Sequence, residues 1–235
     1  MAVGEHQVIN TIGGGHLEFQ AIELARQRLA QTDASASPQQ VRFALGPSLG
    51  QCCGGVVHLM LQTIDAQHPA LPALWSPPGR PLALFGGGHV GRAIVDVMAR
   101  LPCDLRWIDS REGIFPTDLP QDIQTEHSEP VQDAVADLAP GSAVLIMSFS
   151  HAEDLDVVAA CLKRLRVKND LPYVGLIGSA TKWATFQHRL QERGFSPAEL
   201  AQITCPIGIP GIEGKEPEVI AIAVAAQLLQ LGHGT

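Results

Sequence analysis

The chain has 235 residues, 46% of them hydrophobic and 17% charged, with a net charge of −8. That balance excludes a disordered chain, and the acidic surplus argues against a nucleic-acid binder, which needs basic patches to neutralise phosphates. The longest apolar stretch, Val219 to Ala226, is too short to span a bilayer, and the start, MAVGEHQVIN, has no basic-then-apolar export pattern, so the five cysteines point to reduced thiols in the cytoplasm.

Val8 to Ile12 reads as a strand. Gly13-Gly14-Gly15-His16 follows, and Leu17, Ala21, Leu24, Ala25 and Leu29 then recur at helical intervals, which predicts a helix to Ala30. Glu18 stands where the last glycine of a phosphate-binding turn would fall. Gln40 to Leu45 and Val56 to Ile64 read as strands, and the glycine-rich turn between them, GPSLGQCCGG, holds Cys52 and Cys53. The segment from His68 to Pro81 contains Pro69, Pro72, Pro77, Pro78 and Pro81 and marks a linker. The expected organisation is therefore a small α+β domain over residues 1–67, a proline-rich linker over 68–81, and an α/β domain over 82–235.

The second domain opens with the stretch that organises the chain. Leu82 to Phe85 is a short apolar run of the length of a buried parallel strand. Gly86, Gly88 and Gly91 follow in G-x-G-x-x-G spacing, and Val90 to Arg100 has helical periodicity. A second strand, Leu105 to Ile108, ends in Asp109, about twenty residues beyond the glycines, where a dinucleotide-binding unit places its ribose ligand. Gly86 permits the tight turn, Gly88 the approach of a phosphate, and Gly91 close packing of helix on sheet.

The remainder continues the alternation. Short strands are predicted at Ile123 to Glu126, Ala143 to Met147, Tyr173 to Ile177 and Ile203 to Cys205. Helices are predicted over Val131 to Leu138, Glu153 to Arg166, Thr181 to Arg193 and Pro217 to Leu231. The fold class is α/β, with a Rossmann-like, doubly wound and largely parallel sheet.

Several residues could carry chemistry. Cys52 and Cys53 are too close in sequence to pair readily, and a glycine turn could lower a thiol pKa and leave room for a ligand; two inert thiols are the alternative. His89 sits in the glycine loop, and His151 follows a strand at the edge where open parallel sheets bind ligands. Asp154 and Asp156 could orient His151 or simply charge the first turn of their helix. Asp109 suits an adenosine-type ribose, while Arg111 beside it could meet a phosphate. The segment GIPGIEGKEPE fails as a P-loop, because its glycine interval is one residue too long and Glu216 replaces the required Ser or Thr. Lys215 remains as a contact for an anion or as a solvated lysine. No histidine pair has metal-ligand spacing.

The strings TIGGGHLE, LGPSLGQCCGG, FGGGHVG, YVGLIGS and CPIGIPGIEGKEPEVIAIAVAAQ together resemble the XdhC/CoxI family, accessory proteins of xanthine dehydrogenase. The resemblance implies a homodimeric chaperone that binds molybdenum cofactor, shields it, supports its sulfuration and inserts it into xanthine dehydrogenase, with a cysteine desulfurase as a further partner. It implies no turnover by the chain itself. It points to Cys53, directly before Gly-Gly, as the thiolate beside the molybdenum, with Cys52 second. Relatives carry several dozen residues before the TIGGGHLE string, so the first domain is expected to lack its early strands. Two other functions fit the residues: an NAD-dependent oxidoreductase using Gly86 to Asp109 with His151 as acid or base, and a non-catalytic interaction scaffold.

Overall fold

A computed structural model describes residues 1–31, 37–45, 55–65, 67–68, 79–120 and 123–231. Cys52, Cys53 and residues 69–78 of the proline-rich linker lie outside the described residues. The chain divides into two compact units, Met1–Pro77 and Pro78–Thr235.

In the first unit, β1 (Ala2–Val3) pairs antiparallel with β2 (Val8–Ile9), and α1 spans Gly15–Ala30. The strand expected to reach Ile12 stops at Ile9, because Asn10 turns out of the extended region at φ 59° and the next residues bind the start of α1. Strands β3 (Gln39–Leu45) and β4 (Gly55–Leu61) form a second antiparallel pair, with Val41 opposite Leu59 and Phe43 opposite Val57. Both alternate: Val41, Phe43, Val57 and Leu59 are half-buried, while Arg42, His58 and Met60 face outward. Arg28, in the last turn of α1, donates to Gln39 Oε1 at 2.8 Å, Ser37 O at 2.6 Å and Thr63 Oγ1 at 3.2 Å, tying the helix end to both strand segments.

The second unit runs β5 (Arg80–Phe85), α2 (His89–Met98), β6 (Cys103–Asp109), β7 (Gln124–His127), a 3-10 helix (Val131–Asp137), β8 (Ala143–Ile146), α3 (His151–Lys168), β9 (Tyr173–Leu176), α4 (Ala180–Glu192), α5 (Pro197–Leu200), β10 (Ile203–Thr204) and α6 (Pro217–Gln230). Its six strands are all parallel, in the order β10-β9-β8-β5-β6-β7. This is the doubly wound dinucleotide-binding order, whose direction reverses between β5 and β8.

Both sheet faces are covered, which is why the central strands read as continuous apolar runs rather than alternating ones. Phe85, Ile108, Val144 and Ile146 pack with α3, α4 and the 3-10 helix on one face. Leu84, Trp107 and Leu145 pack with α2 and α6 on the other. Complete burial of a side chain such as Ile94 or Leu145 contributes about 2 kcal/mol.

In this unit one predicted element changes type and one is added. Residues 131–137 form a 3-10 rather than an α-helix. The buried guanidinium of Arg164 donates to the carbonyls of Val135 and Leu138, each at 2.7 Å, and so fixes a segment whose carbonyls are not engaged in an α-helical ladder. The short α5 is additional; Ser196 and Glu199 form a reciprocal capping box with Pro197 in its first turn.

Candidate functional site

The carboxyl ends of β5, β6 and β8 form the crevice at which the strand order reverses. The β5 turn is built on two close backbone contacts. Gly86 has φ 124°, and a Cβ there would lie 2.0 Å from the Met147 carbonyl oxygen, in the loop after β8. A Cβ on Gly91 would lie 2.1 Å from the Gly86 carbonyl oxygen, so only glycine lets α2 pack onto its own turn. The Gly86 carbonyl is held from below by the buried indole of Trp107, whose Nε1 donates to it at 2.9 Å.

Gly88 differs in kind. It is the N-cap of α2 with an ordinary extended backbone, φ −73° and ψ −177°, no side chain caps the helix, and its Cβ direction is open space. The first turn of α2 contains no acid. Its leading amides and the positive end of its dipole thus face outward beside the exposed side chain of His89, as an anion site requires.

Asp109, at the end of β6, is almost completely buried. Its Oδ2 accepts from Gly87 N at 2.6 Å and Arg111 Nη2 at 2.9 Å, and its Oδ1 accepts from Arg111 N at 2.8 Å and Arg111 Nε at 2.9 Å. Burial alone would raise its pKa, but hydrogen bonds from the Arg111 side chain and from the Gly87 and Arg111 amides hold the carboxyl below its ordinary value. The Arg111 guanidinium stacks on the ring of Phe149, 4.5 Å from its centroid. Glu153 completes this cluster, accepting from Ser110 Oγ at 2.9 Å and from Phe149 N at 3.2 Å.

His151 is the exposed first residue of α3, with its ring edge-on to Phe186 at 6.3 Å. Neither acid proposed to orient it does so. Asp154 is buried and accepts from Ser148 N, Ser148 Oγ and Lys182 Nζ, each at 2.7 Å, while Asp156 pairs with Arg193 at 2.7 Å. Lys182, in the first turn of α4, also donates to the Ile177 carbonyl at 2.9 Å. The Asp154–Lys182 pair thus ties the β8 and β9 loops together, and the sequence gives no local signal for a partner so far along the chain.

Lys215 is exposed in the loop between β10 and α6. That strand lies at the far edge of the sheet, yet α6 packs against α2, which brings the end of the loop back toward the side of the glycine turn. The crevice therefore assembles Gly86, Gly88, His89, Gly91, Asp109, Arg111 and His151 along one edge, with Phe149 as a member that the sequence did not point to. Among the described residues no group of three or more His, Cys, Asp or Glu could hold a metal ion, and no helix is long and apolar enough to cross a membrane.

Three comparisons relate this geometry to known proteins. A crystal structure of a Bacillus halodurans protein described as a xanthine dehydrogenase superposes with a TM-score of 0.70 at 19% identity, over 95% of this chain and 82% of that one, and so shares the fold. The uncharacterized protein YqeB of Escherichia coli (strain K12) is 28% identical over 227 residues, which cover 95% of this chain but 38% of YqeB. The family model for the XdhC Rossmann domain matches residues 82–228, from the first residues of β5 to the last turn of α6. That match takes in the glycine turn, the crevice and the whole parallel sheet, and on it the chain belongs to the XdhC family.

Proposed function

We propose that this chain is an accessory protein of the xanthine dehydrogenase system, one that binds molybdenum cofactor as cargo, shields it, supports its sulfuration and delivers it to the enzyme. The observation that carries the proposal is the match of residues 82–228 to the XdhC Rossmann domain. The Bacillus halodurans neighbour, described as a xanthine dehydrogenase, is consistent with the same system.

The phosphate of the pterin fits what the crevice offers. Gly88 leaves open space at the uncapped N-terminus of α2, and His89 and Lys215 are exposed cations or donors on the same side of the sheet. Gly86 and Gly91 hold the turn, and Asp109 and His151 flank it. In the first unit, Cys53 is the proposed cofactor-binding thiolate, with Cys52 second. That assignment rests on the family resemblance and on the preference of a soft centre for thiolate. Xanthine dehydrogenase and a cysteine desulfurase are the proposed partners, a homodimer the proposed assembly, and the cytoplasm its place of action. On this reading the chain performs no turnover of its own.

The test is binding of purified molybdenum cofactor to the wild type, Cys52→Ala and Cys53→Ala, with circular dichroism as the folding control. Cofactor binding by the wild type and loss of most of that affinity in folded Cys53→Ala is the expected result. Wild-type protein that is folded and fails to bind the cofactor sinks the proposal; equal affinity in all three proteins sinks the thiol assignment.

A further inference from the structure

The crevice of the parallel sheet has a feature that the cofactor-carrier reading does not use. Asp109 occupies the position at which an unmodified ribose diol is normally read by a carboxylate. An ionised carboxylate offers about four lone-pair sites, and here four hydrogen bonds take them: Gly87 N, Arg111 N, Arg111 Nε and Arg111 Nη2. Two ribose hydroxyls would have to displace a bidentate guanidinium, the stronger class of hydrogen bond.

Arg111 meanwhile spans the crevice mouth. β5 lies between β6 and β8 in the sheet. Arg111 is bonded to Asp109 at the end of β6, and its guanidinium carbon sits 4.5 Å from the ring centroid of Phe149, in the loop after β8. The bridge therefore crosses beside the β5 glycine turn. It is at the surface, since the Phe149 residue is 64% exposed and the Arg111 side chain 32%. A guanidinium has five N–H groups. Nε and one Nη2 hydrogen face Asp109, and among the described residues Nη1 donates to nothing. The outer edge of the ion pair is thus a fixed cationic fork pointing away from the carboxylate, the geometry that binds a phosphate.

We infer that Arg111 sets the nucleotide specificity of this crevice: the Asp109–Arg111 pair rejects a free ribose diol and accepts a ribose that carries its own phosphate, as in 2′-phosphorylated dinucleotides. Asp109 is then a positioning residue that aims the guanidinium, and Phe149 holds its face. The inference rests on reading the crevice as a phosphate-binding edge and is independent of the thiol at Cys53.

The wild type is titrated with NADPH and NADH by fluorescence, and with 2′,5′-ADP and 5′-AMP by calorimetry. Loss of charged hydrogen bonds to one phosphate corresponds to a preference of roughly tenfold or more for the 2′-phosphorylated member of each pair. Arg111→Met brings the ratio to near unity and strengthens NADH binding, because Asp109 is freed; Arg111→Lys, which keeps the charge but not the fork, falls between. The 2′,5′-ADP to 5′-AMP ratio needs no variant, so a misfolded substitution leaves a decisive result. Equal or tighter binding of the unphosphorylated ligands by the wild type overturns the inference, as does binding of none of the four. Molybdenum cofactor is titrated into the same preparations: unselective nucleotide binding with intact cofactor binding removes this inference alone, and the converse removes the carrier reading alone.

Discussion

The string Gly-Gly-Gly-His occurs twice in this chain, at residues 13–16 and 86–89, and the two copies fold differently. In the first unit Gly13, Gly14 and Gly15 all have positive φ, at 119°, 75° and 69°. In the second only Gly86 does, at 124°, and Gly88 is ordinary extended backbone. The residue that separates them lies two beyond the histidine. Glu18 folds back over the first turn and accepts from the Thr11 hydroxyl, from Ile12 N at 2.8 Å and from Gly14 N at 3.1 Å. The turn supplies its own anion. At the matching offset Gly91 has no side chain, and α2 instead closes onto the Gly86 carbonyl and leaves its N-terminus open. A glycine-rich turn before a helix is therefore a binding site only when nothing in the first turn of the helix fills it.

The comparison can be broken most severely at Gly91. Gly91→Ala places a Cβ 2.1 Å from a backbone oxygen that Trp107 also holds, with no flexible atom to yield. A loss of about 4 kcal/mol is expected for the parallel-sheet unit, read as a lowered urea midpoint of its unfolding transition.

Asp109→Asn should follow, at about 3 kcal/mol, because a buried acceptor of charged hydrogen bonds is lost. Its pH signature is specific. The folded carboxyl lies below its unfolded value, so its contribution is complete above the unfolded pKa of about 4 and is lost as pH falls through the lower folded value. Urea midpoints measured from pH 6 down to pH 2 should fall less steeply in Asp109→Asn than in the wild type.

The two turns also differ in their tolerance of a methyl group. Gly14 has φ 75° and ψ −166°, a region essentially confined to glycine, so Gly14→Ala should cost about 2 kcal/mol despite the open space around it. Gly88→Ala should change stability by less than about 0.5 kcal/mol, since its backbone is ordinary and its Cβ direction empty, and under the proposed function it should weaken cofactor binding. Thermal unfolding and cofactor titration of the pair separate the two effects.

The smallest effect is expected at Glu18, which is exposed. The Thr11 hydroxyl and the Ile12 and Gly14 amides lower its pKa, so it helps α1 above the ordinary glutamate range and stops helping in acid. Glu18→Gln should raise amide exchange at Ile12 and Gly14 at neutral pH and lose that difference in acid, as followed by NMR.

The parallel sheet was legible because its evidence is local. Leu82 to Phe85, the glycines and the second strand carry their own periodicity, and the strand–helix alternation leaves few topologies. The capping box at Ser196 was equally local, but four residues fall below the length at which periodicity speaks. The 3-10 helix was not legible, since its carbonyls are satisfied by Arg164 from another element. The same limit applies to the site. The spacing of Gly86, Gly91 and Asp109 predicted where they lie, but not that Arg111 takes the Asp109 carboxylate. Asp154 read as a helix-start acid, and its burial against Lys182 depends on a contact between the first turns of two separate helices.

The crossover in strand order has a consequence for how the chain reaches this state. Leu82 of β5 pairs with Leu105 on one side and with Ala143 on the other, about sixty residues further on. On a ribosome the central strand emerges early and keeps one edge unpaired until β8 has been made. Its ladder is closed by a contact of long sequence separation, which slows folding relative to a chain of neighbouring hairpins. During that interval Leu82, Leu84 and Phe85, all buried in the finished sheet, are the apolar surface most in need of protection from other nascent chains.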